Sequence, residues 1–317
     1  MLTGLATSPL NIDASDFVNV IDAATNVLQK ERQIGRIIGG KITGGVAELQ
    51  TPENLIIIGD IHGDFKSLFK VLQDISFQEF LLNPHNKIIF LGDYVDRGSD
   101  SVGVLYLICY LKQKFPDSIV LMRGNHEAPL EFPFSSHDLP FKIIKYYGEN
   151  LGKMIYNKKL LTFFPLLILT TVIKNHLLLV HGGLPTEVTG LTKDLRKSVA
   201  AAQDNHIHNR IMEEILWNDP WNQIHKRDWR YSERGVGRLF GINISKKWLK
   251  ISGTKVVVRG HEPCQGFKID HDGMVMTLFS SKEAYPNFKA AYISISSKQL
   301  HSIHNAIDLS QYVVKIR

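Results

Sequence analysis

From residue 54 onward the chain alternates short runs rich in Ile, Val and Leu with longer stretches of helical periodicity, the pattern of buried strands in an α/β protein. The runs are 55–58, 87–91, 118–122, 166–173, 177–180, 255–258, 274–279 and 291–295. Upstream, Asp13 or Ser15 offers a helix cap, and Phe17, Val20, Ile21, Ala24 and Leu28 recur at helical spacing. That predicts an amphipathic helix over 13–33. The Gly-rich IIGGKITGGVAEL after it predicts a turn and a short strand. With no repeat, low-complexity tract or Pro/Ser linker beyond that point, we expect residues 1–44 to pack as a helix and turn on one further domain, 45–317.

Several runs end in a polar cluster. Asp60 and His62 follow the first, Asp93, Asp96 and Arg97 the second, and Asn125 and His126 the third; His181 and His261 follow the fifth and sixth. Ligands bind where strand ends of an α/β sheet feed converging loops. Asp60 and Asp93 lie 33 residues apart and Asp93 and Asn125 lie 32 apart, each close to one strand–helix–strand unit of about 30 residues. Successive parallel strands would carry these side chains to a common edge.

Composition narrows the class. The 317 residues are 44% hydrophobic and 21% charged, which fits a globular chain and excludes global disorder. The net charge of +6 is scattered, with nothing denser than the pairs Lys158–Lys159 and Lys226–Arg227, so neither a nucleic-acid surface nor a nucleic-acid phosphodiester substrate is expected. Cys109 and Cys264 are the only cysteines and read as reduced structural thiols. The N-terminal segment lacks a basic start and an apolar core, and the longest apolar run, 163–173, contains Pro165 and falls short of the ~18 residues a membrane span needs. These features predict a cytoplasmic protein with no membrane partner.

The donor set Asp60, His62, Asp93, Asn125, His181 and His261 contains carboxylates, an amide and imidazoles but no thiolate, a mixture suited to divalent Mn, Fe or Zn. A carboxylate between two ligand groups can bridge two cations, and Asp93 is placed to do so. Two such ions would generate hydroxide near neutral pH and grip a phosphoryl group. Arg97 is typed to fork onto phosphate oxygens, and His126, oriented by Asp96, to act as a general acid toward the leaving oxygen.

GDIHG at 59–63, GDYVDRG at 92–98 and RGNHE at 123–127 resemble the three signature motifs of the phosphoprotein phosphatase family, metal-dependent serine/threonine phosphatases within the calcineurin-like metallophosphoesterases. HGGL at 181–184, LWNDP at 216–220, SERGV at 232–236 and RGHE at 259–262 continue the likeness in order. The resemblance covers roughly residues 45–296 and implies that the 45–317 domain is a metallophosphatase domain, built on two mixed β-sheets forming a central sandwich flanked by helices. It implies the same six metal ligands for two divalent ions, with Mn supporting activity in vitro, and His126 with Asp96 as the proton-donating pair. Arg97 and Arg234 would clamp phosphate. The implied activity is hydrolysis of phosphoproteins by a hydroxide bridging the metals.

Two segments depart from the pattern. The family's SAPNYC stretch corresponds to SSKEAYPN at 280–287, where Tyr285 stands in one residue out of register and Pro286 replaces the toxin-reactive Cys; residues 128–140, APLEFPFSSHDLP, also differ. Both departures fit a prokaryotic-type member. An alternative enzyme class is the hydrolases of diadenosine tetraphosphate, which share the first two motifs but carry GNHD where this chain has Glu127. A non-catalytic scaffold is the other alternative, against which every ligand and proton donor is present. His206 and His208 read as surface residues, Trp217 and Trp221 as packing near the site, Asp219 as support for a ligand, and the lysines from 142 to 159 as a solvated helix face.

Overall fold

The computed structural model describes residues 11–187, 209–223 and 228–317. His206, His208, the Lys226–Arg227 pair and the first ten residues of the N-terminal segment lie outside the described residues.

Two mixed sheets stack face to face. The smaller runs in the order Val313–Lys315, Ala291–Ser296, Asn54–Ile58, Lys87–Phe90, Ile119–Leu121. Its last three strands are parallel, and Ala291–Ser296 is antiparallel to Asn54–Ile58. The larger sheet has eight strands, Arg36–Ile37, Gly40–Thr43, Val46–Leu49, Thr170–Ile173, Leu177–Val180, Val256–Arg259, Val275–Leu278 and Phe267–Asp270. Leu177–Val180, Val256–Arg259 and Val275–Leu278 are mutually parallel within it.

Alternation along each strand divides the apolar residues between layers. Leu55 and Ile57, with Ile89, Leu179, Val258 and Ile293, fill the space between the sheets. Ile56 and Ile58 point the other way, onto the helices Ala14–Ile34, Phe65–Asp74 and Ser101–Lys114. On the far face of the larger sheet, Leu178, Val180 and Val257 meet Ile215 and Leu216 of Asn209–Trp217 and Trp248 of Ile242–Ser252. Strands covered on both faces are apolar at most positions, which is why they read as continuous runs. The expected helix-flanked sandwich is present.

Ala14–Ile34 buries Phe17, Val20, Ile21, Ala24 and Leu28, starts at an Asp13 carboxylate that accepts the Ser15 N–H, and stops at Gly35 with φ 73°. It is tied to Ser101–Lys114 by a buried ion pair. Lys112 Nζ donates to Glu31 Oε1 at 2.6 Å and to the carbonyls of Pro116 and Ile119. Breaking such a pair by removing one partner costs about 3–5 kcal/mol.

Three local expectations change. The Gly-rich segment forms three antiparallel strands rather than a turn and one strand, and Val46–Leu49 joins them in parallel to Thr170–Ile173. The run 166–173 is strand only from Thr170, because Pro165 sits in the 3₁₀ turn Phe164–Leu166. Two of the lysines from 142 to 159 are engaged rather than solvated: Lys142 donates to the Gly98 carbonyl and pairs with Asp138, and Lys159 pairs with Asp22.

Candidate active site

The C-terminal ends of five parallel-paired strands, three from one sheet and two from the other, face a common edge. Asn54–Ile58 leads to Asp60 and His62, Lys87–Phe90 to Asp93, and Ile119–Leu121 to Asn125 and His126; from the larger sheet, Leu177–Val180 leads to His181 and Val256–Arg259 to His261. All of these site residues are buried. The sheets are stitched there by the His261 N–H, which donates to Asp60 Oδ1 at 2.9 Å. A Cβ on Gly260 would run into that same oxygen, so the approach requires glycine.

Asp93 is the centre. Its Oδ2 lies 3.5 Å from His62 Nε2, and its Oδ1 lies 3.3 Å from His181 Nε2 and accepts the His126 N–H at 3.0 Å. Asn125 Oδ1 lies 3.0 Å from His181 Nε2 and 2.9 Å from His261 Nδ1. His62 and His181 turn their Nδ1 atoms to the carbonyls of Val95 and Leu91, each at 3.0 Å. Those contacts hold a proton on Nδ1 and turn both Nε2 atoms toward the centre.

The residues fit divalent cations. Donor atoms of His62, Asp93 and His126 lie within 4.8 Å of one another, as do those of Asp93, His181 and His261, with Asp93 in both groups. Among the described residues, Asp60 Oδ2 and His261 Nε2 are buried with no hydrogen-bond partner, a costly state for polar atoms unless something else takes the lone pairs.

Electrostatics agree. Burial pushes His62 down to about 3 and holds His261 well below the usual imidazole range, with Arg234 adding to it, so both are neutral donors. Burial raises Asp60 to about 6. Asp93 resists the same burial because His181 and His126 hold it well below the usual range, and in return it lifts His181 to about 9 against the burial of that ring. The proton on His181 occupies the place a cation would take, so binding releases it.

Beside the donors lies a cleft of about 530 Å³ lined by Arg97, His126, Phe134, Trp217, Arg234 and Tyr285. His126 Nδ1 lies 2.6 Å from Asp96 Oδ2. Burial lowers the His126 pKa, but Asp93 and Asp96 outweigh it, and the net shift is upward. Arg97 donates toward His126 Nε2 at 3.3 Å, and its guanidinium stands 5.1 Å from the Tyr285 ring. Arg234 Nε lies 3.4 Å from Asp219 Oδ2. The structure thus brings together the residues read from the sequence as metal ligands, proton-donating pair and phosphate contacts, Arg234 and Tyr285 included. Trp217 stands edge-on to His261 at 5.5 Å, whereas Trp221 lies under Arg230. Asp219 pairs with Arg259 at 2.7 Å and reaches His261 Nε2 only at 4.0 Å.

Backbone strain concentrates at this edge. His62, Asp93, Asp96, Arg97 and His261 all have φ between 48° and 69°, a region that costs non-glycine residues about 1 kcal/mol or more each. Glu127, read from the sequence only as the end of its motif, secures part of that backbone by accepting three N–H groups. His137 Nδ1 also faces Asp96 Oδ2 at 2.9 Å, with the Tyr156 hydroxyl at its Nε2; the sequence singled out neither residue, and the one available signal was the polar SSHD within a segment that departs from the family pattern.

The calcineurin-like phosphoesterase family profile matches residues 54–265. The chain is 33% identical to serine/threonine-protein phosphatase T of Schizosaccharomyces pombe over 74% of its own length and 46% of the relative's. It is 30% identical to serine/threonine-protein phosphatase PP2A-like PPG1 of Saccharomyces cerevisiae over 80% of its own length and 68% of the relative's. The chain therefore spans about half the length of the first of these relatives. Its fold matches that of a protein serine/threonine phosphatase from Saccharomyces cerevisiae, described as similar to human phosphatase PP5, with a TM-score of 0.69 at 24% identity, covering 96% of this chain and 89% of the other.

Proposed function

This chain belongs to the calcineurin-like phosphoesterase family, and from that premise we propose that it is a serine/threonine protein phosphatase acting on phosphomonoesters of phosphoproteins. The observation that carries the reading is Asp93: one carboxylate shared by two buried donor groups, opening on a cleft that presents Arg97 and Arg234. Asp60, His62, Asp93, Asn125, His181 and His261 would hold two divalent cations, Mn supporting activity in vitro. Bound there, such ions supply the Lewis acidity that activates water at neutral pH and neutralises charge on a phosphoryl group.

The chain's own residues do the rest. Arg97 and Arg234 bind phosphate oxygens and orient the phosphoryl group. Drawing Arg97 onto the phosphate takes it off His126 Nε2, which it touches in the free protein. His126, held at Nδ1 by Asp96, is then free to take a proton from solvent on Nε2 and donate it to the leaving serine or threonine oxygen as the P–O bond breaks. Phe134, Trp217 and Tyr285 wall the cleft and limit water. The relatives' names support phosphoserine and phosphothreonine proteins as substrates, and two buried, unpaired cysteines support a reducing, cytoplasmic setting.

The test is a turnover comparison after chelation and after Mn is restored. A phosphoserine peptide should be hydrolysed only with the metal present. Metal-independent turnover would overturn the metal assignment, and a clear preference for diadenosine tetraphosphate would overturn the substrate class.

A further inference from the structure

We propose that His137, fixed by Tyr156, is a positioning residue that holds the Asp96 carboxylate and, through it, His126. The inference deepens the phosphatase reading above and rests on it. Asp96 Oδ2 faces two imidazoles at once, His126 Nδ1 at 2.6 Å and His137 Nδ1 at 2.9 Å, while Oδ1 accepts the Leu139 N–H at 2.8 Å. On its other edge, His137 Nε2 meets the Tyr156 hydroxyl at 2.7 Å. The order Tyr156–His137–Asp96–His126 is therefore one continuous hydrogen-bonded chain.

Chemistry fixes its direction. A bare Nδ1 facing a carboxylate would set lone pair against lone pair, so His137 carries a proton on Nδ1. When the ring is neutral, Nε2 is the acceptor and the Tyr156 O–H is the donor it needs. Burial, with Asp96 nearby, pushes the Tyr156 hydroxyl up to about 12, so it remains protonated wherever the enzyme works. Tyr156 is aimed by the π-helical turn Ile155–Leu160, an irregularity that often marks functional positions.

Two consequences follow. With Oδ1 and Oδ2 both engaged on the His137 side, Asp96 cannot rotate away from His126. An oxygen shared by two donors also places less charge on each, so Asp96 aligns the His126 ring without holding its proton too tightly. In the reaction, the proton leaves His126 Nε2 for the departing alkoxide as the P–O bond breaks, and solvent later restores it. His137 and Tyr156 transfer nothing. The ring of Phe134, 4.4 Å from His126 and 5.4 Å from His137, packs against both imidazoles.

The test uses two substrates of different leaving group on the full chain loaded with Mn. A phosphoserine peptide expels an alkoxide that needs a proton, whereas p-nitrophenyl phosphate expels a stable phenolate that does not. His137→Leu should lower kcat on the peptide about 10- to 100-fold, with KM within about twofold, and lower kcat on p-nitrophenyl phosphate less than about threefold. His137→Asn, whose amide can replace the Nδ1 donor, should recover much of the loss. Tyr156→Phe should give a smaller loss with the same substrate asymmetry. Metal content should match wild type in all three. Equal losses on both substrates, loss of bound metal, or no change in any variant would overturn the positioning role while leaving the phosphatase reading in place. Loaded wild-type protein that hydrolyses neither substrate would overturn both.

Discussion

Glu127 grips Asp93 by the backbone: its Oε2 accepts the Asp93 N–H at 2.9 Å and the Gly124 N–H at 3.0 Å, while Oε1 takes the Tyr94 N–H at 2.9 Å. Burial pushes Glu127 up to about 7, with Asp93 adding to the rise, and the three amide donors oppose that shift by favouring the charged form. The shared carboxylate of the site is thus held in its φ 54° conformation from behind.

Glu127→Gln keeps the shape but offers one acceptor oxygen in place of two, so at least one backbone N–H is orphaned. The expected cost is about 1–3 kcal/mol, read as a lower denaturant midpoint, together with fewer metal ions per chain by elemental analysis. Wild-type values for both would show that the grip does not matter.

Gly260→Ala tests the stitch between the sheets. The added methyl must displace Asp60 Oδ1, which also accepts the His261 N–H. A shift near 1 Å in a catalytic group costs on the order of 100-fold in rate. We expect that loss of turnover and weaker metal retention on dialysis; full activity would mean the carboxylate moves without consequence.

His126 falls within donor distance of His62 and Asp93, so it could be a ligand or a proton donor. His126→Asn separates the roles. As a proton donor its loss lowers kcat about 10²- to 10⁴-fold with metal content unchanged. Asp93→Asn, by contrast, should empty both donor groups. If His126→Asn loses metal as Asp93→Asn does, His126 is a ligand.

Lys87 makes a prediction away from the site. Its side chain is buried, its ammonium donates to the Pro84 carbonyl, and burial lowers its pKa from 10.5 to about 8, against the pull of Asp117. Between those values the unfolded chain binds more protons than the native one, so the Lys87 share of stability rises with pH. The slope approaches ~1.4 kcal/mol per pH unit. Lys87→Met should flatten it when urea midpoints are compared from about pH 7.5 to 9.5; parallel curves for the two proteins would refute the assignment.

Much of this architecture was legible because strands buried on both faces leave unbroken apolar runs, and the ligands sit directly beyond them. Strands at sheet margins escaped notice for the opposite reason. Phe267–Asp270 exposes part of three residues in four and Val313–Lys315 part of all three, so neither carries a run. The Gly40–Thr43 strand was hidden by its glycine, which lies where the Leu49 side chain and the Glu48 carbonyl leave no room for a Cβ. His137 could not be joined to Tyr156 from sequence, since the two lie 19 positions apart, Tyr156 sits in a π-helical turn, and no periodicity links them. Arg234 needed the family likeness, because nothing near it in sequence distinguishes it from a surface charge.

The Asp60–His261 contact joins residues 201 positions apart, and that separation has a kinetic meaning. Closing so long a loop is entropically slow, so the cation cage is among the last parts of the native state to form. Cations would then have little to hold on the way to the folding barrier and everything to hold once past it. Their occupancy should show up as a longer native lifetime rather than as faster folding.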